Sequence, residues 1–271
     1  MKLRVDKLKQ IHQEREVLMK QYLEERASLE AKYEQLSQSF FEQRKQVIEG
    51  SMDEEIAQGE SSSTDENGEE KDAGIPQFWA CAIHQMPVTQ GLVEESDLEC
   101  LAGIKDIRCV SHANGEGFKL EFEFGPNDFF ENEVLTKTYD VPNLLLADEP
   151  ILKNVEGCEI QWKPGKCLTS KKIQKVQRGT GKNAGQTRTV TKTVRQESFF
   201  HFFTPPKMPS LEAASEEEVM SLEQAFDEDY DVAQAFRSHI IPKAVMWFAG
   251  DAMEQEMEAA LEGMDFPSPE A

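Results

Sequence analysis

The sequence predicts an α+β fold: a long N-terminal dimerisation helix, then a mixed domain of helices and antiparallel β-sheet that carries a protruding basic hairpin. Three observations carry this. Met1 to about Ile48 contains no proline or glycine, and its apolar residues recur at helical spacing. Phe118, Leu120, Phe122 and Phe124 alternate with Lys119, Glu121 and Glu123, the period of a half-buried strand. Between Ile160 and Gln196 every charged residue is a cation, in a chain whose net charge is −22.

Residues 1–49 read as one helix. Leu8, Ile11, Leu18, Tyr22, Leu29, Tyr33, Leu36 and Phe40, with Val47 after them, follow one another at intervals of three, four or seven and form a single stripe. Lys, Gln, Glu and Arg between them are good helix formers. At 1.5 Å per residue the helix is roughly 70 Å long, more than one small domain covers. Its stripe therefore calls for another helix, most economically that of a second copy, and these eight residues are the candidate dimerisation contacts. An intramolecular hairpin or a solvent-exposed single helix is the alternative, but no turn signal interrupts the run.

Gly50 ends the helix. Residues 50–74 are rich in Ser, Gly and acid, with Lys71 as the lone cation, and read as an acidic mobile loop; Ser62 and Ser63 each precede an acid by three positions, a pattern that suits acid-directed kinases. The α+β domain spans 75–250. Ile75-Pro76 opens a short helix with Phe78, Trp79, Ala82 and Ile83 on its apolar face, and Pro87 closes it. Ser96 and Glu99 fit a capping box for a second short helix. Ile107–His112 and Gly117–Phe124 form a hairpin, followed by strands at Thr136–Tyr139 and Ile160–Trp162. Phe199, Phe200, Phe202 and Phe203 belong to the core, and Pro205-Pro206 ends that run. Ser215 with Glu218 caps an acidic helix, and a core helix starts at Pro242 and includes Trp247 and Phe248. Residues 251–271 form an acidic tail.

The charge is segregated. Ten cations and no acid lie within about 160–196, the basic hairpin, which leaves −32 on the remainder. Such a field repels phosphate and anionic membrane surfaces and favours a basic partner. On the hairpin, Lys171, Lys172 and Lys175 fit a nuclear-import signal read by an acidic receptor groove. Gly179 to Gly185 lacks the Gly-Lys-Ser/Thr ending of a phosphate-binding loop. Absent aromatics and the negative total argue against a tight nucleic-acid site and against sequence-specific recognition. Cys81, Cys100, Cys109, Cys158 and Cys167 form no Cys-x-x-Cys motif and read as reduced thiols. His12, His84, His112, His201 and His239 are scattered, without metal-ligand spacing, and no nucleophile motif appears. The expectation is a protein that is not an enzyme, has no metal or cofactor, and contacts no membrane.

Ordered blocks of the chain resemble the nucleosome assembly protein family. They include Gln43–Gly50, Gly74–Trp79, Gly117–Phe124, Asn127–Phe130, Asn132–Tyr139, Ser198–Pro206, Ile240–Val245 and Phe248–Gly250. The resemblance implies a two-fold dimer on the long helix with an acidic concave face that receives core histones, no cofactor, and residence in nucleus and cytoplasm. It implies a histone chaperone that blocks non-specific histone–DNA contacts and promotes nucleosome assembly. The candidate histone-binding residues are Asp97, Glu99, Asp106, Asp227, Glu228, Asp229, Asp231 and Asp251. The alternative on the same fold is an acidic interaction scaffold or inhibitor of signalling enzymes.

Overall fold

The computed structural model describes residues 1–59, 73–142, 144, 151–178, 187–206 and 215–255. Most of the acidic loop with Ser62 and Ser63, the Gly179–Gly185 tip and the tail beyond 255 lie outside the described residues. The elements run α1 (Lys2–Ile48), α2 (Asp53–Gly59), α3 (Phe78–Gln85), α4 (Pro87–Gln90), α5 (Glu95–Leu101), β1 (Ile104–Ser111), β2 (Gly117–Phe124), β3 (Val134–Asp140) and β4 (Asn154–Glu156). There follow β5 (Ser170–Arg178), β6 (Thr187–Arg195), a 3₁₀ helix (Phe199–Phe203), α6 (Glu216–Ala235), a π turn (Phe236–Ile240) and α7 (Ala244–Ala249). One sheet has the order β1-β2-β3-β4, and β5 pairs only with β6. The fold is α+β, as the alternating and helical periods require.

The chain divides into two compact units. The first comprises Met1–Pro76, Arg108–Glu121 and Thr136–Glu156. Here α1 turns one face towards its own chain: Met19, Leu23, Ala27, Glu34, Phe41 and Ile48 are half-buried or buried at helical spacing. Glu34 accepts a hydrogen bond from the Ser111 backbone N–H at 3.1 Å, tying the helix to the β1 end. Gly50, at φ +82°, ends α1 in the left-handed conformation that a non-glycine residue adopts only with strain. A Cβ on it would also stand 2.5 Å from the Gly74 nitrogen. The chain thus leaves at Gly50 and returns at Gly74, where Ile75 N–H donates to the Ile48 carbonyl at 2.9 Å. Within the interval, residues 53–59 are helical rather than irregular, because Asp53, Glu54 and Glu55 occupy the first turn, where the helix dipole favours carboxylates. Phe118 stacks on Tyr139 with ring centroids 5.1 Å apart.

The second unit comprises Gln77–Ile107, Phe122–Leu135 and Gly157–Ala271. Its centre is Phe122, whose ring lies 5.0–6.3 Å from those of Phe199, Phe202, Phe203 and Phe236. The Phe199–Phe203 run is buried, as expected of core, but in a 3₁₀ helix: Ser198 caps it by accepting from the Phe200 N–H at 3.2 Å. The helical turn aims the rings of Phe199, Phe202 and Phe203 at Phe122, while Phe200 packs against Phe124, Phe130 and Trp162.

Three local expectations are corrected. The capping box of α5 is Glu94 with Asp97, not Ser96 with Glu99, because the helix begins two residues earlier and Asp97 reaches back to the Glu94 N–H at 3.1 Å. Ile160–Trp162 is no strand; it contributes an isolated bridge from Trp162 to Phe130, while Asn154–Glu156 pairs with β3. The last core helix begins at Ala244 rather than Pro242, since the π turn at Phe236–Ile240 carries the chain past the proline first.

Candidate functional site

The most concentrated run of acid lies on α6. Ser215 Oγ accepts from the Glu218 N–H at 3.3 Å, and the Glu218 carboxylate accepts from the Ser215 N–H at 2.8 Å, a reciprocal cap that starts the helix where the sequence places it. The backbone bond from Ser215, and then its hydroxyl, hold the Glu218 carboxyl below its usual range. Val219, Leu222, Ala225, Phe226, Tyr230 and Ala233 are half-buried or buried at helical spacing along one side, so the opposite side is left to solvent.

That face is rich in acid, with Met220, Ser221 and Gln224 exposed between the carboxylates. Asp227, Glu228 and Asp231 are exposed and Asp229 is half-buried. Glu216 and Glu223, seven residues apart with Glu223 four before Asp227, lie on the same side, interrupted by Met220, and are exposed too. Their spacing points to them once the buried side of α6 is known. No lysine or arginine occurs on α6. Aspartate is a poor helix former, and like charges four residues apart, such as Asp227 and Asp231, destabilise a helix by about 0.2–0.5 kcal/mol per pair. Folding alone gives no reason for this composition.

The other candidate acids separate into two groups. Glu99 on α5 and Asp251 after α7 are exposed. Asp97 and Asp106 are buried, 0% and 3% exposed, and present nothing to an incoming surface. Asp97 belongs to the framework: its carboxylate accepts from Ser198 Oγ and from the Phe199 N–H, both at 2.7 Å, linking α5 to the phenylalanine core. An acidic residue in sequence gives no sign of its direction, so sequence alone does not separate these two from the exposed acids.

The stripe on α1 stands bare. Leu8, Ile11, Leu18, Tyr22, Leu29, Tyr33, Leu36 and Phe40 are each at least half exposed, up to 70% at Phe40. They lie beside the face that α1 turns to its own chain. On β5, Lys171 and Lys172 are exposed, and alternation puts them on opposite faces of the strand; the side chain of Lys175 lies outside the described residues. Among the described residues no group of three or more His, Cys, Asp or Glu could hold a metal ion. Among them, too, no helix is long and apolar enough to cross a membrane.

A long helix with a bare apolar stripe, an acid-only helix and a cation-only strand pair together define a protein that meets its partners through extended charged and apolar surfaces. The chain belongs to the nucleosome assembly protein family: the model of that family, described as "Nucleosome assembly protein (NAP)", matches residues 3–251. It is 41% identical over 257 residues to nucleosome assembly protein 1;1 of Arabidopsis thaliana, covering 93% of this chain and 67% of the relative. It is 39% identical over 257 residues to nucleosome assembly protein 1;3 of the same plant, again over 93% of this chain and 67% of that one. The chain thus spans about two thirds of these relatives' length. Among solved structures it is similar to nucleosome assembly protein 1 from Plasmodium knowlesi, with a TM-score of 0.65, 31% identity, and coverage of 92% of this chain and 96% of the other. A nucleosome assembly protein from Plasmodium falciparum gives a TM-score of 0.59 at 26% identity, covering 92% and 97%.

Proposed function

We propose that this chain is a homodimeric histone chaperone that binds core histones through its exposed carboxylates, blocks non-specific histone–DNA contacts and promotes nucleosome assembly. The family match across residues 3–251 carries the reading. The acid-only α6 supports it physically. Carboxylates held on a folded helix offer cationic histones the same charge as DNA phosphate, at lower density, so histones are shielded from disordered contacts yet released to DNA. The step is an exchange of ionic partners and requires no cofactor or bond chemistry.

The proposed histone-facing residues are Glu99, Asp227, Glu228, Asp229, Asp231 and Asp251; the buried Asp97 and Asp106 are withdrawn from that role. Pairing two copies along the α1 stripe supplies the dimer. The protein works in the nucleus and also resides in the cytoplasm, with Lys171, Lys172 and Lys175 as its import signal.

The test mixes the protein with core histones and relaxed plasmid at moderate salt. Prevention of precipitation together with introduced supercoils is expected. Aggregation and relaxation identical to a no-protein control would sink the chaperone reading and leave an acidic scaffold on the same fold. Replacing Asp227, Glu228, Asp229 and Asp231 together by Ser should weaken histone binding while leaving the dimer and its melting intact. Unchanged affinity at physiological salt would remove this face from the site.

A further inference from the structure

We propose that the β5–β6 ribbon is a sequence-independent docking surface for duplex DNA, separate from the acidic face. The two strands pair antiparallel over nine residues each, from Ser170↔Arg195 to Arg178↔Thr187, and form a sheet of their own. A two-stranded ribbon is at best marginally stable alone in water, and this one bears no acid to balance its cations.

Its two faces are alike in charge. The register places Lys172, Thr193 and Arg195 on one face, and Lys171 and Lys192 on the other; all five side chains are exposed. A ribbon lying flat on a protein uses one face. Cations on both faces fit a cleft whose two walls are anionic. Sheets pack about 10 Å apart, which is the thickness of a strand layer with its side chains, and the major groove of B-DNA is about 12 Å wide between phosphate walls. Nine residues at about 3.4 Å each give a ribbon of roughly 30 Å, close to the pitch of one duplex turn at about 34 Å.

The strands' composition separates duplex DNA from other polyanions. Neither strand has an aromatic residue, so stacked single-stranded bases have no platform. A-form RNA has a deep, narrow major groove that side chains do not read, so a ribbon that fills a groove finds no seat there. Thr191 and Thr193 add exposed hydroxyl donors for phosphate oxygens. The negative remainder of the chain keeps the contact weak, and its ionic character makes it salt-sensitive.

The experiment uses the full chain without histones, so that it stands or falls apart from the chaperone reading. Fluorescence anisotropy is measured with two unrelated duplexes of about 30 base pairs at salt graded upward from about 50 mM. Equal affinity for both duplexes, with log K falling linearly against log salt, is expected. The variant Lys171→Gln, Lys172→Gln, Lys192→Gln, Arg195→Gln should lose at least roughly tenfold in affinity, and its salt slope should be shallower by about 3.6. Lys171→Arg, Lys172→Arg, Lys192→Arg keeps the cations and should bind as the parent does. Absence of binding by the parent at the lowest salt overturns the proposal, as does a neutralised variant that matches it or an arginine variant that loses affinity. Equal affinity for single strands, or equal competition by polyglutamate of matched charge, would assign the ribbon to a different polyanion.

Discussion

The α1 stripe and the Phe122 cluster contain the same kind of side chain and stand in opposite conditions. Phe40 on α1 is 70% exposed, whereas Phe122, Phe200 and Phe236 are fully buried. The cluster is assembled from β2, the 3₁₀ helix and the π turn, elements that one chain brings together, so its apolar area is removed from water within the protomer. The stripe runs along a helix of 47 residues, and the chain covers only the face beside it. Burial of apolar surface gains about 25 cal/mol per Å² wherever it occurs, and the stripe is apolar area that the described residues leave in water. An apolar residue is therefore evidence of a partner or of a core according to whether its own chain has anything to set against it.

The largest expected effect breaks the first half of that contrast. Leu29→Glu with Leu36→Glu should reduce the solution mass to that of a single chain, because paired helices would have to desolvate carboxylates along their seam. The Phe122 cluster should be intact, with near-ultraviolet dichroism unchanged. A variant that retained twice the chain mass by light scattering would show that the stripe does not mediate pairing. Next, Phe236→Ala should cost about 3–5 kcal/mol, since it opens a cavity among the rings of Phe122, Phe199 and Phe202, read as a drop in the denaturation midpoint. Phe40→Ala, on the bare face, should leave the stability of the isolated protomer nearly unchanged. Equal losses at both positions would erase the distinction.

Asp97 sharpens the comparison, since it is a charge buried beside the rings. Asp97→Ala should destabilise by about 2–4 kcal/mol, because the Glu94 N–H, the Ser198 hydroxyl and the Phe199 N–H would lose their acceptor. Asp227→Ala, on the exposed face of α6, should change stability by less than about 0.5 kcal/mol. Thermal unfolding of the two variants side by side checks this, and a mild Asp97→Ala would mean that water or a shifted loop replaces the carboxylate.

Period and punctuation made much of the framework legible. The α1 run without glycine or proline, the Phe118–Phe124 alternation and the Ser215–Glu218 cap each appear where the sequence places them. What escaped depends on direction or on distant partners. Asp97 and Glu99 are two residues apart on one short helix, yet one is a buried acceptor for Ser198 and Phe199, more than 100 positions away, and the other faces water. Ile160–Trp162 has strand composition, but β3 pairs instead with Asn154–Glu156, a choice made by the neighbouring strand and not by local propensity. The acidic face was legible as charge and illegible as geometry, since its helical spacing becomes informative only once α6 has a buried side.

The smallest effect is chemical rather than energetic and turns on the same contrast of buried and accessible. Burial, with Asp97 and Glu99 adding negative charge nearby, pushes the Cys100 thiol far above its usual range. It remains a neutral thiol at any physiological pH, and it is inaccessible. At Cys167 burial also pushes upward, but hydrogen bonds from Ser170 and Thr169 outweigh it and lower the thiol; the hydroxyls lie 3.3 and 3.4 Å from Sγ. The thiolate is the reactive form, so a lowered Cys167 holds more of it at pH 7 and approaches its maximal alkylation rate at lower pH than an ordinary thiol. Timed iodoacetamide labelling of the native protein, read by peptide mass, should modify Cys167 early and leave Cys100 unlabelled until denaturant is added. Raising the pH from 7 to 8 should accelerate Cys167 less than a free cysteine in the same tube. Early labelling of Cys100 would mean that α5 opens in the native state, and with it the Asp97 link that ties that helix to the phenylalanine core.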